Sequence, residues 1–242
     1  MKPFKWFLEG RDLSFKEKER LWDYLSSYLT TRRRSLFEKV VKERTLFVTV
    51  AVEDVYQERN ASAVVRSAEC FGIQSVHIIE NKHEYKIAKG IAKGAEKWLD
   101  VYLYDKPGND NTATCLERLK ELGYCLVAAS PHEEDCYIGD LELNQPVAFI
   151  MGGEKEGLSQ TALRMAEKFV KIPIYGFTES YNISVATAII LYETTKRLRS
   201  GEDDSWRLNR EKQLDLMITW ALKSISNPTL VLERYFQELD SF

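Results

Sequence analysis

The sequence predicts an α/β fold, a mostly parallel sheet with helices on both faces, with helical extensions at either end. Two observations lead there. From Thr45 to about Arg199, short apolar runs alternate with helical stretches, and parallel strands need crossover helices between them. The segments on either side show helical periodicity and no strand-like runs. This divides the chain into a helical extension over 1–44, an α/β domain over 45–199, and a linker with further helices over 200–242.

The N-terminal extension is read as two helices, Ser14–Tyr28 and Thr31–Arg44. The first places Leu21, Trp22, Leu25 and Tyr28 on one face. The second carries Arg32, Arg33, Arg34, Lys39, Lys42 and Arg44 against only Glu38 and Glu43. Such a run is either a solvated face or an arm that contacts RNA phosphates.

In the central domain Thr45–Val52 is apolar and β-branched, and Asn60–Phe71 reads as a helix stopped by Gly72. Ser75–Ile79, Trp98–Tyr104, Cys125–Ala129, Val147–Met151 and Phe169–Ile172 are further strands. Helices are expected over Ile87–Ala95, Thr112–Leu122, Ser159–Glu167 and Ile183–Arg199, the last ending in basic residues that suit the helix dipole. Residues 200–205 form a linker. Helices Asn209–Lys223 and Pro228–Gln237 follow, the second opened by Asn227 and by a proline at the first helical position.

Composition narrows the chemistry. The chain is 44% hydrophobic and 29% charged, the balance of a water-soluble globular protein. A net charge of −3 gives no global attraction to nucleic acid, so such binding needs a local patch. Cys70, Cys115, Cys125 and Cys136 form no C-x-x-C pair, and His77, His83 and His132 are scattered. Reduced cytoplasmic thiols and no metal site are expected. No apolar run approaches the ~18–20 residues of a membrane span.

Three motifs carry the functional reading. The first is Asn60-Ala-Ser-Ala-Val-Val-Arg66. Asn60 stands at a helix mouth, as a cap or a ligand contact, and Arg66 is expected to be buried among small apolar neighbours, where a guanidinium needs a partner. A surface arginine whose stem lies along the helix is the other reading. The second is Met-Gly-Gly-Glu-Lys-Glu-Gly-Leu-Ser (151–159), between a strand and a helix that Ser159 can cap. Gly152 and Gly157 have Walker A spacing, but Leu158 stands where the lysine belongs, and no G-x-G-x-x-G occurs. The loop therefore suits a nucleoside-containing ligand without a polyphosphate, or is a plain strand-to-helix turn. The third runs from Ile172-Pro173 to Ser180-Tyr181-Asn182, ahead of an alanine-rich helix, and suits ligand contact or tight helix packing.

In this order and spacing the motifs resemble the SpoU family of RNA ribose 2′-O-methyltransferases, within the SPOUT superfamily. The resemblance spans about Leu46–Arg199 and is nearest to the branch that methylates a guanosine in the tRNA D-loop. It implies a C-terminal trefoil knot, S-adenosylmethionine held by Ala129, Gly152, Ile172 and Tyr181, and a homodimer with active sites at its interface. The family more often has leucine at the position of Tyr181. Arg66, Asn60, Glu154, Ser180 and Asn182 are the implied catalytic set, with Arg32, Arg33, Arg34 and Lys97 as RNA contacts. Ribosomal RNA as substrate and a non-catalytic RNA-binding role remain as alternatives. The missing lysine and the absent metal-ligand cluster weigh against a nucleotide hydrolase.

Overall fold

The computed structural model describes residues 12–130, 136–153 and 155–239. The described residues form two compact units, one from 45–206 and one joining the segments before residue 45 and after residue 206.

The larger unit is built on a seven-stranded sheet: β1 (Val48–Glu53), β2 (Ser75–Ile79), β3 (Asp100–Tyr104), β4 (Cys125–Ala129), β5 (Cys136–Tyr137), β6 (Val147–Met151) and β7 (Lys168–Lys171). The order is β3-β2-β1-β6-β4-β7-β5 and each neighbouring pair is parallel. Strand side chains alternate between two cores. Val48, Val50, Val52, Phe149 and Val127 face one layer, which contains Val64, Val65 and Ala68 of α3 (Glu58–Cys70) and Ile190 and Leu191 of α7 (Ile183–Ser200). Ala51, Ala148, Ile150 and Leu126 face the other, with Leu116 and Leu119 of α5 (Asn111–Glu121) and Ala162 of α6 (Gln160–Met165). Both faces are covered, as predicted.

Some boundaries move for local reasons. Thr45 makes only an isolated bridge to Ile73, so β1 begins three residues late, at Val48. The expected helix over 87–95 is reduced to α4 (Lys89–Ala92), because Lys93 and Gly94 both take positive φ and break the turn before a short 3-10 segment at 95–97. The two-residue β5 has too few side chains to show any period, and the sequence reading missed it.

The smaller unit contains α1 (Phe15–Ser26), α2 (Thr31–Val40), α8 (Arg210–Leu222) and α9 (Pro228–Leu239). Leu21, Leu25, Leu214, Ile218 and Trp220 are fully or almost fully buried in it. The basic helix is shorter than expected: α2 ends at Val40 and passes into a 3-10 turn over 41–43. Arg44 is no part of its charged face, being buried with its guanidinium 5.6 Å from the Trp220 ring centroid.

Candidate active site

A cavity of about 800 Å³ opens at the carboxyl ends of β4, β6 and β7, which are neighbours in the sheet. This is where open parallel sheets place their ligands. Its floor is formed at strand ends: Ala129 and Ser130 leaving β4, Gly152 and Gly153 leaving β6, and Ile172 leaving β7. Its rim comes from Ser180, Tyr181 and Asn182 ahead of α7, and from Gln57 and Asn60 at the start of α3.

The loop after β6 is a tight reversal. Gly157 N–H donates to Gly153 O at 3.0 Å, and Gly157 has a φ of +68°. Gly152 faces the returning strand so closely that a Cβ there would meet the Gly157 carbonyl carbon at 2.3 Å. The glycine spacing thus packs backbone against backbone at Gly152 and Gly157. The loop's exit is anchored from below. Glu53, buried at the end of β1, accepts Ser159 N–H at 2.8 Å and the Thr112 hydroxyl with its other oxygen. Ser159 also caps α6, its hydroxyl oxygen accepting Ala162 N–H at 3.1 Å. On the outer side Glu156 pairs with Lys82, an ion pair that lowers the pKa of the carboxyl and raises that of the ammonium.

Two asparagines tie the cavity's rim together. Asn182 caps α7, its Oδ1 accepting from Ser184 N–H at 2.9 Å and from the Ser184 hydroxyl at 2.7 Å. Its Nδ2 donates to Asn60 Oδ1 at 3.2 Å. Tyr181 turns its hydroxyl to Pro173 O at 3.1 Å, closing the turn between them.

Of the predicted residues, Asn60, Ala129, Gly152, Ile172, Ser180, Tyr181 and Asn182 all line this one cavity. Asn60 does not cap its helix, however. It is the third residue of α3, buried, and Gln57 occupies the cap position without a side-chain bond. Arg66 does not line the cavity, and the expectation that it is buried fails. It is exposed, with one guanidinium nitrogen 3.4 Å from Ile91 O. Helical geometry explains this: six residues advance about 9 Å and turn about 600°, so Asn60 and Arg66 face ~120° apart. Glu154 lies outside the described residues. Arg32, Arg33 and Arg34 are exposed on α2, Arg34 pairing with Glu38 at 3.0 Å, and Lys97 is exposed beside the Trp98 ring. Among the described residues no cluster of three metal-ligating side chains occurs, and no helix is long and apolar enough to cross a membrane.

Sequence reasoning missed Gln57, Ser130 and Glu53. The first two have no motif of their own. A lone acid ending an apolar strand was the available signal for Glu53.

Fold and site define an α/β protein with a ligand-sized cavity at the carboxyl ends of a parallel sheet. Comparison with known proteins makes that class specific. The model of the SpoU rRNA methylase family matches residues 47–192, and the chain belongs to that family. It is 36% identical over 203 residues to the tRNA (guanosine(18)-2′-O)-methyltransferase of Borreliella burgdorferi, covering 84% of this chain and 90% of the relative. The crystal structure of the A. aeolicus TrmH/SpoU tRNA modifying enzyme is similar with a TM-score of 0.71 at 28% identity, covering 80% of this chain and 97% of that one. The SpoU methyltransferase AviRb from Streptomyces viridochromogenes, solved in complex with the cofactor AdoMet, shares the fold with a TM-score of 0.57 at 24% identity, over 67% of this chain and 65% of that one.

Proposed function

We propose that this chain is an S-adenosylmethionine-dependent RNA 2′-O-methyltransferase acting in the cytoplasm on tRNA, at a guanosine of the D-loop. The observation that carries the reading is that Asn60, the 152–158 glycine loop and Ser180–Asn182, from three separate motifs, meet at one cavity, in a chain 36% identical to a tRNA guanosine-18 methyltransferase. Ribose methylation requires RNA, since the 2′-hydroxyl is the group DNA lacks.

The cavity suits the cofactor. Ala129, Gly152, Ile172 and Tyr181 line it, and a side chain at Gly152 would break the loop that forms its wall, since a Cβ there meets Gly157 backbone at 2.3 Å. The cofactor supplies an electrophilic methyl group. The chain's task is to align a ribose hydroxyl with it, and alignment alone can supply much of a rate enhancement. Asn182 and Asn60, already bonded to each other, hold one wall of the acceptor site, with Ser180 beside them. Glu154 joins this set on the sequence alone. Arg66 contacts the phosphate and ribose and orients the hydroxyl. A guanidinium offers five N–H donors and no acceptor, so it acts as a donor rather than as an unaided base.

The exposure of Arg66, outside its own chain's cavity, supports a homodimer in which each Arg66 serves the other copy's site. A knotted C-terminal part belongs to the same proposal. It is supported by the path of the chain, which leaves β7 beyond β4 and returns over the cavity to pack α7 against α3. The helical extensions, with Arg32, Arg33 and Arg34, form the RNA-binding arm, and Lys97 is a further RNA contact. Phosphate contacts of this kind add affinity that falls with salt.

The test supplies methyl-labelled S-adenosylmethionine with unmodified tRNA and, separately, unmodified ribosomal RNA. Label in tRNA is expected; label in ribosomal RNA alone overturns the substrate, and label in neither overturns the enzyme reading. Mixed dimers of Arg66→Ala and Asn182→Ala chains test the shared site. Activity recovered on mixing supports it, because one of the two sites is then intact.

A further inference from the structure

A second cavity, of about 500 Å³, lies across the 152–159 loop from the first, and both are lined by Gly153, Lys155 and Glu156. At its edge stands Tyr56, 55% exposed, on the short connection between β1 and α3 that leads to Asn60. His83 meets the Tyr56 ring edge-on, with centroids 5.2 Å apart and planes at 79°. The Lys155 ammonium lies 4.2 Å from the same centroid.

The acids around this cavity are held by other bonds. Asp54 Oδ1 accepts the backbone N–H groups of Asn81, Lys82 and His83, at 2.7, 2.8 and 3.4 Å. Asp110 caps α5 and accepts the Thr161 hydroxyl at 3.0 Å. Glu53 holds Ser159 and Thr112, and Glu156 pairs with Lys82. Lys155 has no carboxylate within ion-pair distance among the described residues; the ring face of Tyr56 is what it covers.

We propose that Tyr56 is a stacking platform for an unpaired base of the RNA substrate, next to the nucleotide that is methylated, with His83 bracing the ring and Lys155 meeting the neighbouring phosphate. The proposal rests on the RNA methyltransferase reading above. An exposed aromatic beside a reactive cavity is the surface on which single-stranded bases stack, whatever their sequence. Stacking of a base is stronger than a solvent-exposed cation–π contact, so an incoming base displaces the ammonium from the ring. Released, Lys155 is a free cation two residues after Gly153, on a loop that lines both cavities, within reach of the phosphate beside the stacked base. Tyr56 lies four residues before Asn60, at the entry to α3, so a base held on Tyr56 also fixes the distance of its neighbour from the asparagine pair.

The experiment compares wild type, Tyr56→Ala, Tyr56→Phe and Lys155→Gln for the Kd of an unmodified tRNA transcript, the Kd of S-adenosylmethionine, and methyl transfer. Tyr56→Ala should weaken tRNA binding about 5-fold to 100-fold and leave cofactor affinity within about twofold. Tyr56→Phe, which keeps the ring, should stay near wild type. Lys155→Gln should lower the slope of log Kd against log salt by about one phosphate contact. Unchanged tRNA affinity in Tyr56→Ala, or a phenylalanine variant as weak as alanine, overturns the inference. If the wild type methylates tRNA while Tyr56→Ala matches it in every respect, this inference alone fails. If the wild type neither binds nor methylates tRNA, the underlying reading fails with it.

Discussion

The side-chain amide of Asn182 donates to the Asn60 carboxamide oxygen at 3.2 Å, joining residues 122 positions apart in the chain. The bond links the first turn of α3 to the cap of α7, and both residues line the cavity. Asn182 therefore has two separable tasks: its oxygen caps a helix, and its nitrogen sets the orientation of Asn60.

Those tasks predict a split. Asn182→Ala should lose ~0.5–2 kcal/mol of stability with the cap and most of its methyl transfer. Asn182→Ser keeps an acceptor for the Ser184 amide but cannot reach Asn60. It should unfold at nearly the wild-type urea concentration while transferring methyl groups at least ~10-fold more slowly. A serine variant with full activity would show that the bond to Asn60 is incidental.

Gly152→Ala places a Cβ within 2.3 Å of Gly157 backbone, which no side-chain motion can relieve. The loop must open, and S-adenosylmethionine affinity should fall by ~10-fold or more, read by calorimetry. Gly176→Ala meets nothing within 4 Å and serves as the control.

Glu53 works at one remove from the ligand. Removing its carboxylate in Glu53→Ala leaves Ser159 N–H and the Thr112 hydroxyl without their acceptor. Losing such buried bonds typically costs ~1–3 kcal/mol. The 152–159 loop should loosen, so cofactor affinity falls along with stability. Measured together by calorimetry and urea unfolding, the two should change in the same variant; a stability loss with unaltered cofactor affinity would confine Glu53 to the core.

Burial pushes His77 down to about 4, beneath the stacked ring of Tyr102 and beside the Tyr104 hydroxyl at 3.1 Å. The unfolded imidazole titrates near ~6.5. Between these values the unfolded chain binds the extra proton, so stability is full above pH ~6.5 and is lost as pH falls toward about 4. At pH 5 the loss should be on the order of 2 kcal/mol. Urea midpoints at pH 7.5 and pH 5 should differ more in wild type than in His77→Gln.

The fold was largely legible because strands buried on both faces are apolar runs, and α3 and α5 are followed by the glycine stop signals Gly72 and Gly123, both at positive φ. What escaped was short or depended on remote contacts: β5 has two residues, and Arg44 looks like surface charge until Trp220, far along the chain, covers it. The cavity's position was legible from glycines and strand ends. Arg66 was misread because its small neighbours suggest burial, whereas the helix turns it toward solvent. Tyr56 and Glu53 belong to no spacing pattern; only folding brings Lys155 over the one and Ser159 onto the other.

The central claim is tested most directly by mapping the methylated nucleotide. Unmodified tRNA is incubated with S-adenosylmethionine and either the wild-type chain or Arg66→Ala, digested with nuclease, and read by mass spectrometry. A single 2′-O-methylguanosine in the D-loop, absent or greatly reduced with Arg66→Ala, is the predicted result. A methyl group on a base rather than a ribose, or a 2′-O-methyl product undiminished by the substitution, would contradict it.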